Sequence, residues 1–248
     1  MTGIQLQGPE VTLENPTLVE GFPGVGLVGK IATDHLVREL EMEYYASLDC
    51  EGLPRIGVYR GGDGQARPPV RMYVSEEHDL FALQSDAPIG SDAVESVANC
   101  VSGWITEREV RPIYLSGLPT ERDGEGRPSL YGIATGDETE TLEEHDIDVP
   151  PEDGVVSGPT GALLNRAAQY GHDSVGLIVG SSRQFPDPEA ASVLLEEGIA
   201  PIADVSIDVS DLVDRAEEIR EKREQFARQM QEMSQDESSQ AQPLRMYQ

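Results

Sequence analysis

One stretch, residues 17–40 (TLVEGFPGVGLVGKIATDHLVREL), constrains the fold more than any other. A β-rich run over 17–22 passes through a glycine-rich turn directly into an amphipathic helix that starts near Gly24. The same alternation continues along the chain. Apolar, β-rich runs predict strands over 43–48, 56–60, 70–74, 80–84, 112–115, 129–135 and 174–181, and helices should start near Ser91, Thr160, Asp187 and Asp208. Strands alternating with amphipathic helices specify a layered α/β domain. A chain of 248 residues can build one large domain of that kind or two small ones, and no boundary shows before residue 208.

Two helices carry explicit end signals. Asp187 can cap a helix whose first position is Pro188, with Gly198 ending it after Leu194 and Leu195. Thr160 can cap another, which carries Leu163, Leu164, Ala167 and Ala168 and stops at Gly171. Residues 61–69, 119–128 and 136–153 are rich in Gly, Pro and charge and read as loops.

The turn over residues 21–30, GFPGVGLVGK, imitates two nucleotide motifs. Gly24, Gly26 and Gly29 fit G-x-G-x-x-G, in which a pyrophosphate approaches a helix N-terminus. Gly24, Gly29 and Lys30 fit G-x-x-x-x-G-K, but Ile31 stands where a magnesium-binding hydroxyl belongs, and Pro23 removes an amide that a phosphate cradle would use. Two readings follow. The glycines either allow a strand and a helix to pack closely, or they shape a site for a small anion at Gly24, Gly26, Gly29 and Lys30. The run SGPTG (157–161) is open in the same way, to an anion nest or a capped turn.

Charge excludes several partners. Forty-six acidic residues against 18 basic ones give −28, which repels nucleic-acid phosphates and anionic lipid. The acids run from Glu10 to Glu237, and Lys30 and Lys222 are the only lysines, a composition that fits a high-salt cytoplasm. The N-terminus lacks a basic start and an apolar run, and no 18-residue apolar stretch exists, so a cytoplasmic protein is expected. Cys50 and Cys100 are expected to form no disulfide framework and no metal cluster, with Cys100 in a helix core. His35, His78, His145 and His172 have no ligand spacing, and neither a nucleophile elbow nor a metal helix is present. No catalytic residue, metal or cofactor is expected. His35 reads as a surface or partly buried helix residue.

The last forty residues differ in kind. Leu212, Ile219, Phe226 and Met233 recur every seven residues, with Ala216 and Met230 offset by four from Leu212 and Phe226. A long helix over 208–233 with one narrow apolar seam follows, either a coiled coil between subunits or a helix lying on its own domain. Residues 234–243 are polar without periodicity and should be disordered. The expected organisation is therefore a globular domain over 1–207, a helix over 208–233 and a flexible tail over 234–248. That tail ends in Met246, Tyr247 and Gln248, an apolar residue, a tyrosine and a terminal carboxylate. The tyrosine is a rigid anchor with a hydroxyl, and the carboxylate can pair with a cation in a pocket. A twelve-residue flexible linker spans roughly 20 Å.

Taken together, these segments resemble one family. GFPGVGLVGKIATDHLVREL looks like the opening strand and helix of the archaeal proteasome assembly chaperones. SGPTGALLNRAAQYGHDSVGLIVGSS followed by FPDPEAASVLLEEG looks like their second characteristic block, and the likeness runs from about residue 17 to 213. The resemblance implies a three-layer α/β/α sandwich of purine-nucleoside-phosphorylase-like topology and a homo-oligomer. It also implies a non-catalytic partner of the core proteasome, whose tail (here Met246, Tyr247 and Gln248) enters pockets between α-subunits. Such a protein would act as an assembly chaperone or an ATP-independent binding factor. Some members carry an ATP-grasp-like label, which keeps the alternative of a nucleotide- or anion-binding enzyme using the glycine turn. In a third reading, a structural oligomer recruits another client through Leu212, Ile219, Phe226, Met230 and Met233.

Overall fold

The computed structural model describes residues 3–62, 64–120, 127–181, 186–212 and 214. In chain order it contains β1 (Gly3–Leu6), β2 (Thr17–Gly21), a 3-10 turn (Val25–Leu27), α1 (Val28–Glu39), β3 (Glu43–Asp49), β4 (Val58–Tyr59), β5 (Ala66–Arg67), β6 (Val70–Ser75), β7 (Leu80–Ser85) and α2 (Val94–Arg108). After these come β8 (Arg111–Pro119), β9 (Leu130–Thr135), α3 (Thr139–Glu144), α4 (Gly158–Tyr170), β10 (Ser174–Ser181), α5 (Pro188–Val193), a π-helical turn (Leu194–Ile199) and α6 (Ala200–Ile202).

Eight strands form one sheet in the order β1-β3-β6-β7-β2-β8-β10-β9. Its centre, β7-β2-β8-β10, is parallel. β6, β3 and β1 extend it antiparallel on one side and β9 on the other. All five residues of β2 are buried, as a central parallel strand covered on both faces requires.

Period-two alternation sends successive side chains into different layers. Val19, Ala82, Ile113 and Leu177 point into a core with Ala32 and Leu36 of α1 and Ala190, Ala191 and Leu194 around α5. Leu18, Leu83 and Tyr114 point the other way, onto Val97, Val101 and Trp104 of α2 and Leu163 of α4. Each fully buried side chain of this kind contributes roughly 1.5–3 kcal/mol. The result is the expected three-layer α/β/α sandwich, with α1 against α5 on one face and α2 against α4 on the other.

The structure corrects several local expectations. β1 and α3 arise where no element was expected, and α3 sits inside the predicted 136–153 loop. The strand predicted over 56–60 is the two-residue β4, paired with β5 in a separate two-stranded arm. Thr160 is not the cap of α4. The helix starts at Gly158 after Ser157, and Thr160 turns its hydroxyl inward. Asp187 does cap α5, accepting the Ala190 amide at 3.0 Å. Gly198, however, stops nothing: it lies inside the π-helical turn, where a Cβ would stand 2.6 Å from Leu177 Cδ1. Its small size serves close packing on the sheet, so the chain stays helical to Ile202.

Cys50 and Cys100, expected to stay unpaired, form a disulfide between the end of β3 and α2 with Cα atoms 6.7 Å apart. Their pairing depends on tertiary proximity across 50 residues, which spacing alone does not reveal. Leu212 is 2 % exposed and packs into the core beside α1, so it is used within its own domain. His35 is buried too, and its Nε2 lies 2.6 Å from the Asp208 carbonyl, tying α1 to the segment that leads to Leu212. Ile219, Phe226, Met230 and Met233 of the predicted seam lie outside the described residues, as does the 234–248 tail. Among the described residues no helix is long and apolar enough to cross a membrane.

Candidate functional site

Open α/β sheets bind ligands at the carboxyl ends of their parallel strands. Here that edge carries the glycine turn, and the structure brings Gly24, Gly26, Gly29 and Lys30 together on it between β2 and α1.

Three glycines of the turn are filled by the protein itself. A Cβ on Gly21 would lie 2.2 Å from the Gly29 carbonyl, and one on Gly29 would lie 3.2 Å from Gly21 Cα, so β2 and α1 touch backbone to backbone. Gly26 adopts φ +62°, and its Cβ would meet Ser181 Oγ at 2.0 Å. Its carbonyl accepts the Asp187 amide at 2.8 Å, joining the turn to the start of α5. Only Gly24 faces open space. Gly117 of β8 completes the fit, since a Cβ there would strike the Val25 carbonyl at 2.5 Å. Nothing in the local sequence marks Gly117, whose role appears only once β8 lies under the turn.

Lys30 does not reach toward the turn as a phosphate-binding lysine would. It pairs with Asp34, one helical turn on, and with Asp86 at 3.0 Å, just past the end of β7. Asp86 also binds Arg71, a guanidinium only 1 % exposed, and approaches Arg60 at 3.4 Å. Arg71 spends its remaining donors on Tyr73 Oη at 3.0 Å and the Pro68 carbonyl at 2.8 Å. Burial acts to raise the Asp86 pKa, but the hydrogen bonds and charges of Lys30 and Arg71 outweigh it and hold the carboxyl below its ordinary value. This cluster is a closed ion-pair network that fastens α1, β6, β7 and the arm to one another. Each of its three cations, Lys30, Arg60 and Arg71, is already in contact with Asp34 or Asp86.

Beneath the turn lies a residue that pattern reading missed. Glu20 of β2 is completely buried, and its Oε1 accepts the Phe22 amide at 2.7 Å and the Thr160 hydroxyl at 3.2 Å. Its Oε2 has no partner among the described residues. Burial lifts the carboxyl from 4.5 to about 7 against these hydrogen bonds, which act to lower it. Tyr114, next to it on β8, is itself pushed up by burial and then by the Glu20 charge. The available signal was an ionisable residue inside an otherwise apolar strand, TLVEG. Glu20 joins the glycine turn to the first turn of α4, so the two family-like blocks of sequence meet at this carboxyl. Among the described residues no group of three or more His, Cys, Asp or Glu is placed to hold a metal.

The fold and this edge define a three-layer α/β/α protein whose glycine turn is a packing joint with a buried carboxyl below it. The PAC2 family model matches residues 18–227, and the chain belongs to the PAC2 family. It is similar to PbaA of Pyrococcus furiosus, described as an archaeal homolog of proteasome-assembly chaperone, with 26 % identity, TM-score 0.80 and coverage of 96 % of this chain and 97 % of that one. It shares its fold with PbaB of the same organism, described as an archaeal proteasome activator, at TM-score 0.78 and 23 % identity over 91 % of this chain and 98 % of that one. Among curated proteins, MJ0106 of Methanocaldococcus jannaschii, of uncharacterized function, is 28 % identical over 89 % of each chain.

Proposed function

We propose that this PAC2 protein is a non-catalytic proteasome-assembly chaperone or ATP-independent proteasome-binding factor. Its docking element is the C-terminal Met246, Tyr247 and Gln248. The observation that carries the reading is the likeness to PbaA over nearly the full length of both chains. The filled glycine turn and the neutralised Lys30 support it, because they leave the nucleotide-binding alternative without its cation. The tail would insert Tyr247 as an aromatic anchor and offer its terminal carboxylate to a cation in a pocket between α-subunits. A homo-oligomer would present several such tails and gain avidity of roughly 10²–10⁴ over a single one.

The test is co-elution with core proteasome in multimolar salt, comparing the full chain with one ending at Arg245 and with Tyr247→Ala. Both changes should abolish co-elution while leaving the circular dichroism spectrum unaltered. Equal binding by all three proteins would overturn the tail reading.

A further inference from the structure

The arm and the far end of the sheet complement each other. Between residues 54 and 71 the chain carries four arginines and one aspartate, although acids outnumber bases 46 to 18 overall. This segment contains β4 and β5, which form their own two-stranded sheet at the carboxyl edge, over the β3–β6 side of the main sheet. Its apolar side chains turn outward, with Tyr59 81 % and Ile56 51 % exposed. Arg55 and Arg60 flank them on the surface. Arg60 is held by Asp86, which fixes the arm in place, while Arg55 has no ion-pair partner among the described residues.

The opposite end of the same edge is concave. A groove of about 620 Å³ opens between the ends of β8, β10 and β9, lined by Leu118, Tyr131, Ile178, Pro150, Pro151 and Val155. Val155 is 96 % exposed on its lip. Glu152 and Asp153 stand exposed beside it and make no ion pair among the described residues. The groove's own cation, Arg127, is already held by Glu196 and Glu197 at 2.8 and 2.7 Å. The groove therefore offers an apolar floor with room for several side chains at once, and unspent negative charge at its rim. The arm offers an aromatic and an aliphatic side chain with unspent positive charge.

We propose that the arm docks on a second copy of this chain, seating Tyr59 and Ile56 in the neighbour's groove with Arg55 against Glu152 and Asp153. The arm cannot serve its own groove. β6 and β10 are four strand positions apart, about 19 Å at the usual strand spacing, and the Arg60–Asp86 contact holds the arm at the β6–β7 side. The two surfaces differ and lie on one protomer, so the contact is head-to-tail and propagates until a ring closes. Opposite charges set the register, and the apolar anchors supply the affinity. This inference concerns how copies meet, and it stands whether or not the tail binds a proteasome.

Sedimentation velocity of the full-length chain tests it. Tyr59→Asp spoils only the arm and Val155→Asp only the groove, and each should convert the assembly to monomer with an unchanged fold. Mixed in equal amounts, the two variants retain one intact arm and one intact groove between them, so they should form a dimer and nothing larger. Arg55→Glu should weaken assembly about tenfold or more, and adding Glu152→Arg to the same chain should restore it. A monomeric wild-type chain, or assembly that survives Tyr59→Asp, overturns the proposal. If either aspartate variant fails to fold, the Arg55/Glu152 charge swap decides alone, and absence of rescue counts against the contact.

Discussion

The glycine turn and the arginine arm lie along the same edge of the sheet, and they reverse the usual relation between motif and surface. The turn carries a recognisable pattern, yet Gly21 and Gly29 close on each other, Gly26 closes on Ser181, and its lysine is held by two aspartates. The arm carries no motif, yet it exposes Tyr59 and Ile56 between arginines in a strongly acidic protein. A conspicuous local pattern here records a demand of packing, because backbone-to-backbone contact restricts residue choice severely. A binding surface restricts composition more loosely, so it shows only against the charge of the whole chain.

If the turn is a packing joint, its supports should matter to stability and its one open position should not. The largest effect is expected from Asp86→Ala, which leaves the buried Arg71 guanidinium without its carboxylate and should cost about 3–5 kcal/mol in denaturant unfolding. A loss below about 1 kcal/mol would mean that the cluster is solvated and available to a ligand.

Glu20→Gln should stabilise the protein, and only at higher pH. The folded state keeps a proton to about 7 that the unfolded chain releases near 4.5. The stability this represents is full below 4.5 and lost as pH rises through 7. Glutamine never ionises, so the variant's advantage should grow from near zero in acid to about 3 kcal/mol above neutrality, read as thermal midpoints across pH. A constant difference would show that Glu20 titrates alike in the folded and unfolded chain.

The smallest effects make the sharpest contrast. Gly21→Ala, with its Cβ 2.2 Å from a backbone oxygen, should cost about 1–3 kcal/mol, whereas Gly24→Ala meets open space and should change stability by less than about 0.5 kcal/mol. In a phosphate cradle the order of importance would be reversed, and Gly24→Ala would abolish stabilisation by nucleotide.

Much of the fold could be read from the sequence because its centre is locally consistent. β2, β3, β6, β7 and β10 combine apolar runs with turn residues at their ends, and Asp187 with Pro188 marks a helix start that needs no tertiary help. What escaped depends on distant partners. β1 is four residues long and becomes a strand by pairing with β3. α3 is stabilised by burial of Leu142, which a run of acids hides. Thr160 has the residue type and place of a cap, but its hydroxyl serves Glu20 instead of its own helix. At the candidate site, the residues around the turn were visible, but Asp86, Arg71 and Gly117, which decide its chemistry, come from strands 40 to 90 positions away.

The Cys50–Cys100 bridge encloses the arm together with β6 and β7. A chain cut anywhere between those cysteines still remains one covalent molecule, with both ends of the enclosed segment held on the domain. A single nick in the arm therefore cannot release a fragment. The segment with which we propose that copies recognise one another is thus tethered to the domain on both sides by a bond outside the arm itself. A lineage could change which copies assemble without rebuilding the sandwich beneath.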